Sequence, residues 1–568
     1  MYKLYEWFFI REKQINTAAD IFFVVLLFVT LFSGLWLLLN TEPAVWIDLF
    51  SDDAYYYFGI ARNIVEQGSS RFLPPFETNG YQPLWLLILT GVGYLFGTSA
   101  SNLVIQAYLI SFLFIFIFFT VSNKRYGIGF PAIICSFAIP VIMLKGMETT
   151  MLPAFFILFM TATSWKLRGV FGSLLFLTRL DAISVVIARD LYFYLRKRKP
   201  DFRHYVIIIP VLLIYASINY YYFGFPLPIS GLAKSVGKII GENFHVSFGY
   251  ILALKQAALL FIAISLFLFF KKQPLSALRF RDEFSVLLIA CCICMVYYGT
   301  LSGWPLWNWY YWTPFLLTYY LLMETVFAIK QIAESKRGYL NDGLVTLLLL
   351  ALLIFLKPAL GLVKGMIGQV KNSSAIASLD PSFGRKNLEL VAWIMQKKIP
   401  AHSLFAMGDR AGSFGFFLGN NFQFLHTEGL VGPPAYYKAM TDDTALSFVN
   451  ALDISYWVAE REQFIETPQI IGVVEPVQGL SSHRGPYVIC FAKTGIVLDQ
   501  SYIAPQYRSL QEYEYRYVFD MRSRVNCPTE ITVKFAELKQ RYGGIRAFSL
   551  PLEYKMRDAF SRFVNLPW

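Results

Sequence analysis

Apolar runs long enough to cross a bilayer recur along most of the chain, and nothing else in the sequence constrains the fold as tightly. Inside lipid every backbone polar group must be satisfied within the protein, so such runs become helices. Candidate spans fall at about 21–40, 103–121, 128–144, 149–165, 169–178, 181–195, 204–222, 249–270, 284–300, 311–329 and 340–362. Only 15% of the 568 residues are charged, against about 25% in soluble proteins, which excludes an ordinary soluble enzyme. The segment before residue 21 is mixed and charged, and the run that follows reads as a retained span rather than a cleaved signal. The reading is a polytopic α-helical membrane protein of about eleven transmembrane helices.

Charge decides the two ambiguous runs. Pro83–Phe96 is long enough to be a span, and 169–195 would serve as one helix or two. With the N-terminus inside, Pro83–Phe96 surface-lying or re-entrant, and a break at Arg179 to Asp181, every basic cluster lands in the cytoplasm. Those clusters are Lys124 and Arg125, Lys166 and Arg168, residues 196–203, residues 271–281, and Lys330 with Lys336 and Arg337. The net charge of +12 is thereby explained by topology, and nucleic acid is not implied as a partner. Residues 1–365 form the membrane domain, with a first outer loop at 41–102, and 370–568 form a separate extracytoplasmic domain. There a helix is predicted at 387–398, strands at 403–407 and 422–426, and a helix start at 410–418, an α/β alternation. The location implied is a multi-pass cell membrane, on the bacterial pattern an inner one, with the site facing outward.

Five features fall on that outer face: the 52–85 loop, the 145–148 turn, the 178–181 break, the 225–238 loop and the aromatic turn at 304–312. The first carries adjacent carboxylates, Asp52 and Asp53, at a membrane edge. A partly desolvated carboxylate there has a raised pKa and can act as a general base towards a hydroxyl. Its neighbour would orient the acceptor or hold a divalent cation such as Mg, Mn or Ca; equally, the pair suits a helix N-terminus. The helix that follows has an apolar stripe of Tyr57, Ile60, Ala61 and Ile64 and is predicted to lie flat on the bilayer, stopping at Gly68. Glu148 and Asp181 are acids in apolar surroundings, where a charge needs a cavity or a partner; Arg179 would neutralise Asp181. Arg62, Lys145, Arg179 and Lys234 are cations on the outer face and suit a phosphate, although snorkelling accounts equally for Lys145. Aromatic clusters add Tyr55, Tyr56, Trp309 and Tyr310 as candidate sugar- or acceptor-binding groups beside Asp181. Gly408, Asp409 and Arg410 make too short a pattern to read as a phosphate turn. The six cysteines have no metal spacing; Cys490 and Cys527 would pair in an oxidising compartment.

Taken together, Asp52-Asp53-Ala54-Tyr55, the Thr-Asn-Gly-Tyr-Gln-Pro-Leu-Trp stretch ending at Trp85, Gly-Met-Glu148-Thr, Thr-Arg179-Leu-Asp181-Ala and the 223–234 segment ending in Lys234 resemble the GT-C superfamily. These are integral-membrane glycosyltransferases that use polyprenyl-phosphate sugars, and arabinofuranosyl- and mannosyltransferase-like members look most similar. The resemblance covers roughly residues 20–330. It implies an inverting enzyme that moves a sugar from a polyprenyl-phosphate-linked donor, met in the membrane lipid, to a glycan or lipid-linked acceptor. It implies catalytic roles for Asp52 or Asp53 and for Glu148, and donor-phosphate contacts from Arg179 and Lys234; Arg62 is read beside them as a further phosphate contact and Asn79 as an acceptor-side candidate. The sequence departs from the pattern at Leu180, where relatives carry proline. A transporter or flippase for a lipid-linked sugar is the alternative; it would show inverted repeats, and none is evident.

Overall fold

The computed structural model describes residues 18–126, 145–196, 201–235, 281–302, 306–321, 383–476, 485–499 and 516–543, with isolated positions at 254, 258, 261, 262, 265 and 324. Its membrane part contains helices α1 (Ala18–Asn40), α2 (Asp52–Gln67), α3 (Pro83–Phe96), α4 (Ala100–Tyr126), α5 (Met151–Thr161), α6 (Trp165–Thr178), α7 (Ile183–Leu195), α8 (Tyr205–Phe223), α9 (Ile229–Lys234) and α10 (Asp282–Leu301). Among the described residues three helical stretches are long and apolar enough to cross a membrane: Ala100–Ser122, Phe202–Phe223 and Asp282–Leu301. Leu31–Asn40, Pro83–Phe96 and Glu148–Thr161 are apolar but shorter. The spans expected at 128–144 and 340–362, and nearly all of 249–270, lie outside the described residues.

The expected break near residue 180 is present, and it is made without proline. Arg179 is extended, with φ −153° and ψ 132°, and a single 3-10 turn at Leu180–Ala182 restarts the chain as α7. The Ala182 N–H donates to the Arg179 carbonyl at 3.0 Å, which closes that turn. Helix α6 itself begins at a Ser164 cap, whose hydroxyl accepts from the Leu167 N–H.

Helix α2 begins and ends as expected: Asp52 and Asp53 occupy its first turn, and Gly68 closes it at φ 66°. Its surroundings differ from expectation. Residues from Ala54 to Ala61 are buried on every face rather than on one stripe. Helix α3 covers one side and the C-terminal region covers the other, so α2 is a core helix and not one laid on a bilayer.

The C-terminal region is α/β. It contains α11 (Phe383–Gln396), β1 (Leu404–Met407), α12 (Gly412–Leu418), β2 (Gln423–His426), β3 (Ile454–Glu460), β4 (Phe464–Glu466), β5 (Ile470–Glu475), β6 (Tyr487–Ala492), β7 (Ile496–Asp499), β8 (Arg516–Asp520), β9 (Arg524–Val525) and, last, α13 (Thr529–Gly543). The first two strands fall where the sequence places them. One sheet runs β2-β1-β3-β8-β7, with β1 parallel to both β2 and β3; the other runs β4-β5-β6-β9 and is antiparallel. Cys490 and Cys527 form a disulfide that ties β6 to the segment leading into α13.

The carboxyl ends of β1 and β2 point at α2. Chain approach there is close: a Cβ on Gly412 would lie 2.1 Å from the Asp52 carbonyl oxygen, and one on Gly80 would lie 1.8 Å from that of Leu430. Only glycine fits at either contact. Phe72 stacks edge-on against Phe424, and the Phe424 N–H donates to Pro74 O at 2.9 Å. These contacts seat the C-terminal sheet on the first loop.

Candidate functional site

The two adjacent aspartates have different environments. Asp52 accepts three hydrogen bonds from the start of α12: Gly412 N–H at 2.7 Å, Ser413 N–H at 2.8 Å and the Ser413 hydroxyl at 2.6 Å. Both of its oxygens are occupied, and it joins positions about 360 residues apart in the chain. Burial raises the Asp52 pKa, and the Ser413 and Gly412 bonds oppose the rise. Asp53 points the other way, into a cavity, and among the described residues its carboxylate accepts no side-chain hydrogen bond. Burial pushes Asp53 up to about 6; Lys234 opposes the shift, and Asp52, Glu148 and Asp409 add to it.

That cavity, about 1030 Å³ with its open mouth, gathers side chains from far along the sequence. Asp53 and Tyr57 come from α2, Glu148 from the turn before α5, Arg179 and Asp181 from the break after α6, and Lys234 from the end of α9. Tyr298 of α10, with Trp309 and Tyr310 of the aromatic turn, forms the facing wall. Leu430 and Val431, after β2, complete it, so the C-terminal region is part of the site.

Within the cavity Arg179 is clamped between two acids. It donates from Nη1 to Glu148 Oε1 at 3.0 Å and from Nε to Asp181 Oδ1 at 3.0 Å, and its guanidinium lies 4.7 Å from the Tyr310 ring centre. Glu148 also accepts from the Tyr57 hydroxyl at 3.0 Å, and Asp181 from the Tyr298 hydroxyl at 2.7 Å and from Trp312 Nε1 at 3.3 Å. Burial raises the Glu148 pKa, with Arg179 opposing. Lys234 donates from Nζ to the Tyr310 hydroxyl at 2.7 Å. Burial alone would lower its pKa, but Tyr310 and Asp53 reverse this and leave the ammonium raised and charged. Tyr310 thus stands between the two cations.

Asp53, Glu148, Arg179, Asp181, Lys234, Tyr56, Trp309 and Tyr310, all singled out from sequence, line this one cavity. The structure does not bring the other four there. Besides Asp52, Arg62 donates to the Phe416 carbonyl at 2.9 Å and lies over the Phe416 ring, which turns it from the cavity towards α12. Tyr55 donates to Ile47 O at 2.7 Å inside an aromatic cluster with Phe58 and Phe416. Asn79 bonds Asn219 at 2.8 Å and accepts from the Ile229 N–H at 3.1 Å, so it fixes the start of α9 and thereby the Lys234 backbone. Tyr57, Tyr298 and Trp312 orient the acids; the sequence marks Tyr57 only as part of an apolar stripe and Trp312 only as part of the aromatic turn, and Tyr298 not at all, because a single aromatic in an apolar run carries no distinguishing pattern.

The cavity acids do not suit a divalent cation. Among the described residues no group of three His, Cys, Asp or Glu side chains converges as a metal site. Glu148 and Asp181 both face Arg179, which already supplies the positive charge that a metal would bring.

No family model and no curated protein matches the chain. Among solved structures, ArnT from Cupriavidus metallidurans bound to undecaprenyl phosphate is similar at 14% identity and a TM-score of 0.45, covering 79% of this chain and 94% of that one. The same protein in the apo state is similar at 13% identity and a TM-score of 0.42, covering 77% and 96%. Likeness this loose decides neither family nor chemistry.

Proposed function

We propose that the chain is a GT-C-like glycosyltransferase that moves a sugar from a polyprenyl-phosphate donor to a hydroxyl acceptor at the outer membrane face. The observation that carries this reading is the meeting of Asp53 with Lys234 in one cavity, walled by aromatic rings. Asp53 is the base, because its carboxylate is open to the cavity while that of Asp52 is filled by α12. It takes the proton of an acceptor hydroxyl as that oxygen attacks the anomeric carbon. The bond from that carbon to the phosphate oxygen breaks with its electrons on the lipid phosphate, and inversion follows. Lys234 lies on the phosphate side and stabilises the departing charge; the clamped Arg179 adds a fixed dipole and positions Tyr310. Trp309 and Tyr310 offer faces for the sugar. Glu148 and Asp181 hold Arg179 in place.

The experiment is to incubate purified protein in lipid with a panel of polyprenyl-phosphate hexoses and pentoses and an acceptor glycan, and to follow release of the lipid phosphate. Discharge of one donor is expected, with a rate that falls on acidification through about 6 as Asp53 becomes protonated. No discharge of any donor, or a rate indifferent to that pH range, contradicts the assignment.

A further inference from the structure

The segment from Asn79 to Gln82 borders the cavity through Gly80 and Gln82, and it is pinned residue by residue. Asn79 bonds Asn219 at 2.8 Å, Gly80 lies against the Leu430 carbonyl, the Tyr81 hydroxyl meets Ser70 Oγ at 2.9 Å, and the Gln82 N–H donates to the Tyr57 hydroxyl at 3.1 Å. The Gln82 carboxamide is the exception. Its Oε1 is buried with no hydrogen-bond partner, and its Nε2 makes no hydrogen bond among the described residues. Gln82 is the N-cap residue of α3, yet its side chain does not cap the helix. Serine, threonine, aspartate and asparagine are the residues that such a position favours. An amide held in a cavity wall without a partner destabilises the empty protein, and what enters the cavity can satisfy it.

The chemistry of the amide narrows what enters. A carboxamide is neutral, and a phosphate is better served by the cations on the same wall; a sugar hydroxyl, which both donates and accepts, matches either end of it. The Tyr57 hydroxyl that holds the Gln82 backbone also donates to Glu148, and Glu148 pairs with Arg179. Arg179 lies against the Tyr310 ring, and the Tyr310 hydroxyl accepts from Lys234. These contacts run without a gap from Gln82 to the cation assigned to the donor phosphate. We propose that the Gln82 carboxamide hydrogen-bonds a hydroxyl of the donor sugar and so selects which polyprenyl-phosphate sugar the site takes. The proposal rests on the reading of the cavity as a donor site. No bond forms or breaks at Gln82; a sugar that lacks the matching hydroxyl leaves the amide unsatisfied and binds about tenfold more weakly.

The test reads binding rather than transfer, which separates it from the transferase reading. Full-length protein carrying Asp53→Asn, which halts transfer, is placed in lipid nanodiscs with and without Gln82→Met, a change that keeps the length of the side chain and removes the amide. Affinities are measured for a panel of polyprenyl-phosphate hexoses and pentoses, for the monodeoxy analogues of the tightest binder, and for sugar-free polyprenyl phosphate. With Gln82 in place, loss of one hydroxyl should weaken binding about tenfold. In Gln82→Met the parent sugar should bind about tenfold more weakly and that hydroxyl should no longer matter, while the sugar-free lipid binds both proteins alike. Equal losses in the two proteins at every deoxy position overturn the contact. So does a fall in affinity for the sugar-free lipid as large as that for the sugar-bearing one, which marks a phosphate or structural role. Gln82→Met in the wild-type background should melt at or above the wild-type temperature, because it removes an unpaired buried oxygen; a fall of about 3 °C or more shows that the amide supports the fold and overturns the proposal. The expected binding pattern in a protein whose wild-type form discharges no donor upholds the contact and overturns the transferase reading alone.

Discussion

Asp52 and Asp53 are the same side chain one position apart, and their neighbours alone divide them. Asp52 has three donors from α12 and Asp53 has a cavity. A buried acid with a raised pKa has a definite effect on stability. Between the ordinary value of 3.8 and about 6, the folded protein keeps a proton on Asp53 that the unfolded chain releases. Folding stability contributed at this site therefore falls as pH rises through that window, and the loss is complete above it. Asparagine has no such dependence, so Asp53→Asn should melt higher than wild type above the window and lose that advantage below it; thermal denaturation at the two pH extremes checks the sign. Arg179 behaves oppositely. Removing it leaves Glu148 and Asp181 buried without their cation, so Arg179→Gln should cost about 3–5 kcal/mol and lower the melting temperature sharply. Both aspartates were visible in the sequence as candidates. Their difference was not, because the groups that occupy Asp52 lie about 360 residues downstream.

Among the elements, α2 shows best what a local pattern conveys. Its limits were legible from two acids at one end and a glycine at the other, since caps act within one turn. Its burial was not, because the apolar stripe reports one buried face, and the second face is covered by α12 from the C-terminal region. Asp52 is the chief polar link across that contact. Asp52→Ala should leave the Gly412 and Ser413 donors unsatisfied, at a cost of about 1–3 kcal/mol each where they stay buried. Hydrogen exchange at residues 412–418 should rise, while exchange in β5 and β6 stays as in wild type. Unchanged protection at 412–418 would show that the contact does not depend on this carboxylate. The helix break at Arg179 carries the same lesson. Proline would have announced it, and here an extended residue and one 3-10 turn achieve it without that mark. The strands β1 and β2 were legible because short apolar runs between turn residues seldom form anything else.

For the molecule as a whole, charge bias led to the expectation that certain distant segments share one face. Asp53, Glu148, Arg179 and Lys234, assigned to one face on that ground, do line one cavity. What sequence did not indicate is that the region after residue 383 completes the cavity through Leu430 and Val431. That arrangement depends on contacts such as Gly80 against Leu430, for which a lone glycine gives no warning. The most direct test is single-turnover transfer from the polyprenyl-phosphate sugar by the wild-type chain, Asp52→Asn and Asp53→Asn, each shown folded by its melting temperature. The expected result is a loss of at least about a hundredfold for Asp53→Asn and a smaller loss for Asp52→Asn. Undiminished transfer by Asp53→Asn, or a loss confined to Asp52→Asn, would contradict the account.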